Sequence, residues 1–210
     1  MPLSGSEAGE LNLVPVEESL NGYLEDTIVV DWQTPIVYEK VKSLTAGQGT
    51  LEERLRALFE FVRDEISLSF EIETDELTCN ASQVLRAGHG TCYAKSHLLA
   101  AMIRACGVPA GFVFQRLRRE SDEDRFVLHG FVGVYLTDRE RWVALDARGD
   151  NDAVSTVFSL DAPSLAYTPD PERGEETQPL VYSKPVKHIV EMLSKAGSLE
   201  RVRRTLPDSV

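Results

Sequence analysis

Gly88-His89-Gly90-Thr91-Cys92, running straight into Tyr93-Ala94-Lys95-Ser96-His97-Leu98-Leu99-Ala100-Ala101-Met102-Ile103, is the stretch whose reading decides the fold. Thr91 is an N-cap residue by type, which puts Cys92 at the first position of a helix. That helix is apolar nearly all round from Leu98 to Ile103, so it is expected to be buried. Gly107 and Pro109 end it. A thiol in the first turn of a helix meets unpaired backbone N–H groups and the positive end of the helix dipole, a setting that suits an anion. Gly88 and Gly90 remove side chains where another backbone must approach.

Two later segments carry the groups such a thiol would need. His129 lies in the extended run Phe126-Val127-Leu128-His129-Gly130-Phe131-Val132-Gly133-Val134-Tyr135-Leu136, and Asp146 ends Trp142-Val143-Ala144-Leu145-Asp146. The polar stretch Thr137-Asp138-Arg139-Glu140 between them predicts a β-hairpin. A two-residue turn pairs Thr137 with Glu140, and a four-residue loop pairs Leu136 with Arg141. Both registers place Phe131 opposite Asp146. Alternate residues share a face, so His129 and Asp146 become diagonal neighbours, roughly 7–8 Å apart at the backbone. An odd loop or a bulge would put Asp146 on the other face. A carboxylate among apolar residues needs a partner, and His129 is the one within reach. Cys92 as nucleophile, His129 as its base and Asp146 as the residue orienting the base is the arrangement these three positions suit.

The segment from Ala81 through Cys92 to Ala110 resembles the nucleophile segment of the transglutaminase-like superfamily. The strands around His129 and Asp146 resemble that family's histidine and aspartate strands. The resemblance covers about residues 51–150. It implies an α+β, papain-like transglutaminase-core fold, with a central helix starting at the cysteine and packed on an antiparallel β-sheet, and a Cys-His-Asp triad. Four positions depart from the family pattern: Phe131 where Trp is frequent, Ala147 and Arg148 where Pro-Thr often follows the aspartate, and His89 where an arginine is common. His89 and Phe131 are the candidate substrate-binding residues. Trp32 and Asn80 are the candidates for a second oxyanion donor beside the Cys92 N–H.

Composition sets limits on function. The chain has 210 residues, 42% of them hydrophobic and 27% charged, and a net charge of −12. These values describe an ordinary globular chain and offer no broad basic surface for nucleic acid or anionic membrane. Arg116, Arg118 and Arg119 read as a solvated face. No secretory leader or membrane-length apolar run is visible. An odd count of three cysteines without a C-x-x-C pair fits reduced thiols in a cytoplasmic protein. Cys79 and Cys106 read as structural, and His97 as a packing or surface residue. His89, Cys92 and either other cysteine lack metal-ligand spacing, so no metal and no cofactor is implied.

Residues 1–10 read as a disordered tail, followed by one domain over residues 11–205. Extended stretches are expected at residues 11–16 and 27–32. Helices are expected at residues 35–44, 50–66 (Thr50 and Glu53 forming a capping box over the stripe Leu51, Leu55, Leu58, Phe59, Val62), 81–87, 92–106, 186–195 and 198–204. Strands are expected at residues 110–117, 126–136 and 141–147. Residues 161–179, rich in Pro, Glu and Thr, read as a loop leaving the sheet beside Asp146. Such a loop would act as a lid or a connector, and its acids would favour cationic or neutral substrates. The expected activity is acyl transfer through a thioester, most simply hydrolysis of a peptide, protein or small acyl-amide substrate. The alternatives are transfer to an amine and a non-catalytic interaction domain.

Overall fold

The computed structural model describes residues 11–119, 122–151 and 154–210. The tail expected at residues 1–10 lies outside them. In chain order come β1 (Val14–Pro15), α1 (Pro35–Thr45), α2 (Leu51–Glu65), β2 (Ser67–Leu68), α3 (Ser69–Ile72), α4 (Ala81–Ala87) and β3 (His89–Gly90). Then follow α5 (Cys92–Ala105), β4 (Ala110–Arg119), β5 (Asp122–Leu136), β6 (Arg141–Leu145), β7 (Glu176–Tyr182), α6 (Lys187–Lys195) and α7 (Leu199–Arg204). The architecture is α+β. One five-stranded sheet has the order β1-β7-β4-β5-β6, and β2 and β3 form a small separate pair. The contacts from β7 across to β6 are antiparallel, and β1 runs parallel to β7.

Local sequence explains the helices that frame the site. Thr50 and Glu53 close the capping box of α2: Thr50 Oγ1 accepts from Glu53 N at 3.2 Å, and Glu53 Oε2 accepts from Thr50 N at 2.8 Å. Leu55, Leu58, Phe59 and Val62 are buried by α2, whereas Leu51, expected in the same stripe, is exposed at the helix start. Every residue of α5 from Tyr93 to Arg104 is buried. Leu98, Leu99, Met102 and Ile103 are fully so, each worth about 1.5–3 kcal/mol of apolar burial. The polar side chains of α5 are satisfied internally. Ser96 Oγ donates to the Cys92 and Gly130 carbonyls, and Arg104 donates to those of Ala110, Glu25 and Ser183. His97 bonds to the Cys79 carbonyl through Nδ1, so it is a packing residue, held at a pKa of about 4 mainly by burial.

The sheet presents two different faces. Phe112, Phe114, Leu128, Val132 and Val134 join α5 in the main core. Val113, Phe131, Trp142, Ala144 and Val181 form a second cluster with Leu13 and Tyr23. At Gly130 the helix comes close: a Cβ there would lie 3.0 Å from Tyr93 Cδ1 and 3.3 Å from Phe114 Cε1. The Tyr93 hydroxyl donates to the Leu128 carbonyl. These contacts hold the first turn of α5 against residues 128–130.

Two expectations of secondary structure fail. Residues 27–32 form turns, not a strand, with Val30 N donating to Thr27 Oγ1 at 3.0 Å. β2, β3 and α3 fall in segments for which the sequence carries no helix or strand expectation. Residues 176–179, expected as loop, begin β7, which lies inside the sheet between β1 and β4. Pro179 hid this strand, because proline removes a ladder donor. The β4–β7 register shifts between Phe112 and Phe114, where the partners jump from Tyr182 to Gln178. Pro179 falls in that irregularity, so its missing N–H costs no ladder bond.

Candidate active site

Cys92 opens α5, with Thr91 as its N-cap: Thr91 Oγ1 accepts from Ala94 N at 3.3 Å, and the Thr91 carbonyl from Lys95 N at 2.8 Å. The N–H of Cys92 stands in the first turn and has no intrahelical acceptor. The preceding turn is braced by Thr78 Oγ1, which donates to the His89 carbonyl at 3.0 Å. A Cβ on Gly90 would lie 3.1 Å from Ala94 Cβ and 3.3 Å from Lys95 N, so the chain passes very close to the helix start.

The hairpin between β5 and β6 has the four-residue loop, with Leu136 paired to Arg141 and Val132 to Leu145. Extended by one step, this register sets Asp146 opposite Phe131 and on the face of His129. Their side chains meet. His129 Nε2 donates to Asp146 Oδ2 at 2.7 Å, and the two side chains are 5% and 1% exposed. The Asp146 carboxylate also accepts from Arg148 N at 3.2 Å and Ala166 N at 2.9 Å. Burial alone would raise the Asp146 pKa, but the His129 charge and hydrogen bond and these two backbone donors bring it below the ordinary carboxylate value.

His129 shows the same contest with the opposite sign. Burial, the largest single influence, favours the neutral ring. The Asp146 charge and hydrogen bond, with a further hydrogen bond and charge from Cys92, outweigh it and push the ring up to about 10. With Nε2 taken by Asp146, Nδ1 is the nitrogen left for the sulfur. The structure thus brings Cys92, His129 and Asp146 together in the chemical order S···imidazole···carboxylate. Such a set can hold a proton beside a thiolate and hand it to a departing group.

The remaining candidates fall elsewhere. Phe131 is 1% exposed and stacks on His129, with ring centroids 6.2 Å apart, so it is a core wall behind the imidazole and not an exposed substrate contact. His89 is buried, with Nδ1 3.1 Å from Ser69 Oγ and Nε2 3.7 Å from Glu76. Its ring is thus occupied by those two residues. Trp32 cannot serve the oxyanion, because its one indole N–H donates to the Leu24 carbonyl at 3.2 Å. Asn80 opens α4 in a hollow shared with Asp75, Leu77, Gln83 and Ser194, apart from the Cys92–His129–Asp146 set. Burial raises the pKa of both Cys79 and Cys106.

Sequence reasoning missed the residues that enclose the set. Tyr167 stands edge-on to the His129 ring, with centroids 5.0 Å apart and an interplanar angle of 80°. Its neighbour Ala166 supplies the N–H to Asp146. What residues 161–179 bring to the site is therefore a backbone donor and an aromatic ring. Three of their acids are engaged elsewhere: Asp161 pairs with Arg139 at 2.6 Å, Asp170 accepts from Glu172 N, and Glu175 accepts from the N–H groups of Arg118 and Asp170. Lys95, one turn after Cys92, is 2% exposed and donates to the Ile66 carbonyl at 2.5 Å, just past the end of α2. Burial and the nearby Arg148 charge bring its pKa down to about 8. Only an aromatic in a polar loop and a lysine in an apolar helix could have drawn attention to these positions.

The sequence profile described as the Transglutaminase-like superfamily matches residues 38–147, just over half of the chain, and the protein belongs to that family of cysteine-dependent enzymes. Comparison with curated proteins returns no significant match. Among solved structures, a candidate cysteine protease from Cytophaga hutchinsonii is similar at 16% identity, over 66% of this chain and 46% of that one, with a TM-score of 0.51. The periplasmic domain of TgpA from Pseudomonas aeruginosa shares 16% identity over 60% of this chain and 45% of that one, with a TM-score of 0.44. A candidate protease from Parabacteroides distasonis shares 17% identity over 72% of this chain and 30% of that one, with a TM-score of 0.41. The matched region spans less than half the length of each of these proteins.

Proposed function

We propose that the protein is a thiol hydrolase that cleaves an amide bond in a peptide, protein or small acyl-amide through a thioester on Cys92. The observation that carries this reading is the buried 2.7 Å bond from His129 Nε2 to Asp146, which leaves the other ring nitrogen to the Cys92 sulfur. In the first half-reaction the Cys92 thiolate attacks the carbonyl carbon, and the carbonyl π pair moves to oxygen. The Cys92 backbone N–H faces that oxyanion. Collapse restores the carbonyl and breaks the C–N bond, and the His129 proton goes to the amine. In the second, water attacks the thioester while His129 takes its proton, and the acid leaves as Cys92 returns to thiolate. Asp146 keeps the ring in one tautomer throughout. We place the protein in a reducing, cytoplasmic setting, a reading supported by its three free cysteines.

Release of free amine from a peptide and acyl-amide library tests this reading, with Cys92→Ala as the blank. The expected result is turnover of at least one member by the wild type and none by Cys92→Ala. A product carrying a second amine in place of water would move the assignment to acyl transfer. No turnover together with unreactive Cys92 would remove it.

A further inference from the structure

We propose that Gln115 is a positioning residue for His129, acting through Tyr167; this rests on the function proposed above. Gln115 on β4 pairs directly with His129 on β5, and on its other side with Thr177 on β7. Residues directly opposite share a face, so Thr177, Gln115 and His129 form one row across three strands. Gln115 is fully buried. Its Nε2 donates to the Tyr167 carbonyl and to Thr177 Oγ1, both at 3.1 Å. A carbonyl only accepts, so the Tyr167 bond fixes which end of the amide faces the loop.

The amide therefore holds the main chain of the residue whose ring stands on His129. One residue earlier, Ala166 N holds the carboxylate that His129 bonds. Base, orienting acid and covering ring are tied to one short strap, and Gln115 is the strap's link to the sheet. This link has a cost. Gln115 Oε1 is buried without a hydrogen-bond partner among the described residues. A leucine or methionine would remove that unpaired oxygen, but it would leave the Tyr167 carbonyl without the donor that ties it to the sheet. The amide ties the Tyr167 main chain to the sheet, and with it the ring that stands on the imidazole.

The test is the pH profile of Cys92 alkylation by iodoacetamide, which needs no knowledge of the substrate, in wild type, His129→Ala, Gln115→Met, Thr177→Val and Tyr167→Ala. Gln115→Met should slow alkylation at neutral pH by roughly 5–10-fold, the factor one neutral hydrogen bond corresponds to, and displace the His129-dependent limb. Thr177→Val keeps the Tyr167 bond and should follow the wild type. Tyr167→Ala, at a half-exposed position, should reproduce the Gln115→Met displacement, and decides the matter if Gln115→Met does not fold. A wild-type profile in Gln115→Met or Tyr167→Ala would overturn the role of Gln115 and leave the proposed function standing. Equal profiles for wild type and His129→Ala would overturn both.

Discussion

Replacing Asp146 by asparagine removes one charge and almost no volume from a buried polar contact. The carboxylate accepts three hydrogen bonds, from His129 Nε2 and from the N–H groups of Arg148 and Ala166. An amide offers one oxygen and one NH2, so in either orientation at least one of those donors faces another donor. The bond to His129 is charge-assisted, a class worth about 1.5–3 kcal/mol. At 1.36 kcal/mol per pH unit this amounts to a fall of roughly 1–2 units in the His129 pKa, down from about 10. A folded-state pKa above the unfolded value of about 6.5 contributes stability that is fully present below that pH and is lost as pH rises through the folded value. The raised His129 pKa should therefore stabilise the wild type most below about pH 6.5, with the contribution falling away as pH rises toward about 10, and Asp146→Asn should lose part of it. The assay is an imidazole nitrogen NMR titration of histidine-labelled protein, assigned with His129→Ala, alongside thermal melts. An ordinary His129 titration near pH 6.5 in the wild type, or an unchanged one in Asp146→Asn, would refute the reasoning.

Other consequences are simpler to read. Brief iodoacetamide treatment near neutral pH followed by peptide mapping should label Cys92 at least about ten times faster than Cys79 or Cys106, whose burial suppresses the thiolate. Trp32→Phe should leave turnover within about twofold of the wild type, because its N–H serves Leu24, and cost at most about 1–1.5 kcal/mol in denaturant unfolding. Thr50→Ala breaks the α2 capping box and should lower stability by about 1 kcal/mol without moving the pH profile of Cys92. Asp146 is held below its unfolded value, so its contribution is present above about pH 4 and lost as pH falls. Acid melts of the wild type should show a dependence there that is weaker in Asp146→Asn.

The parts of the site legible in the sequence are those set by local rules. Thr91 and the apolar run after it place Cys92 at a helix start. A count of residues between Leu136 and Arg141 puts Asp146 on the face of His129, whichever even loop closes the hairpin. The segments that complete the enclosure were not legible, because nothing local specifies their partners. Gln115 and Tyr167 are 52 residues apart in the chain, and a loop tyrosine carries no mark of the ring it will cover. Pro179 concealed β7, and without β7 the row from Thr177 to His129 has no third strand. Trp32 has one side-chain donor, and that donor is spent on a carbonyl eight residues away.

The measurement that tests the central claim most directly is mass spectrometry of the protein trapped during turnover of an acyl-amide substrate, by rapid acid quench. A thioester on Cys92 should appear as the mass of the acyl group on the peptide containing Cys92. It should be absent from Cys92→Ala and should form more slowly in His129→Ala. Turnover with no acyl group on Cys92, or with the adduct on Cys79 or Cys106, would contradict the account.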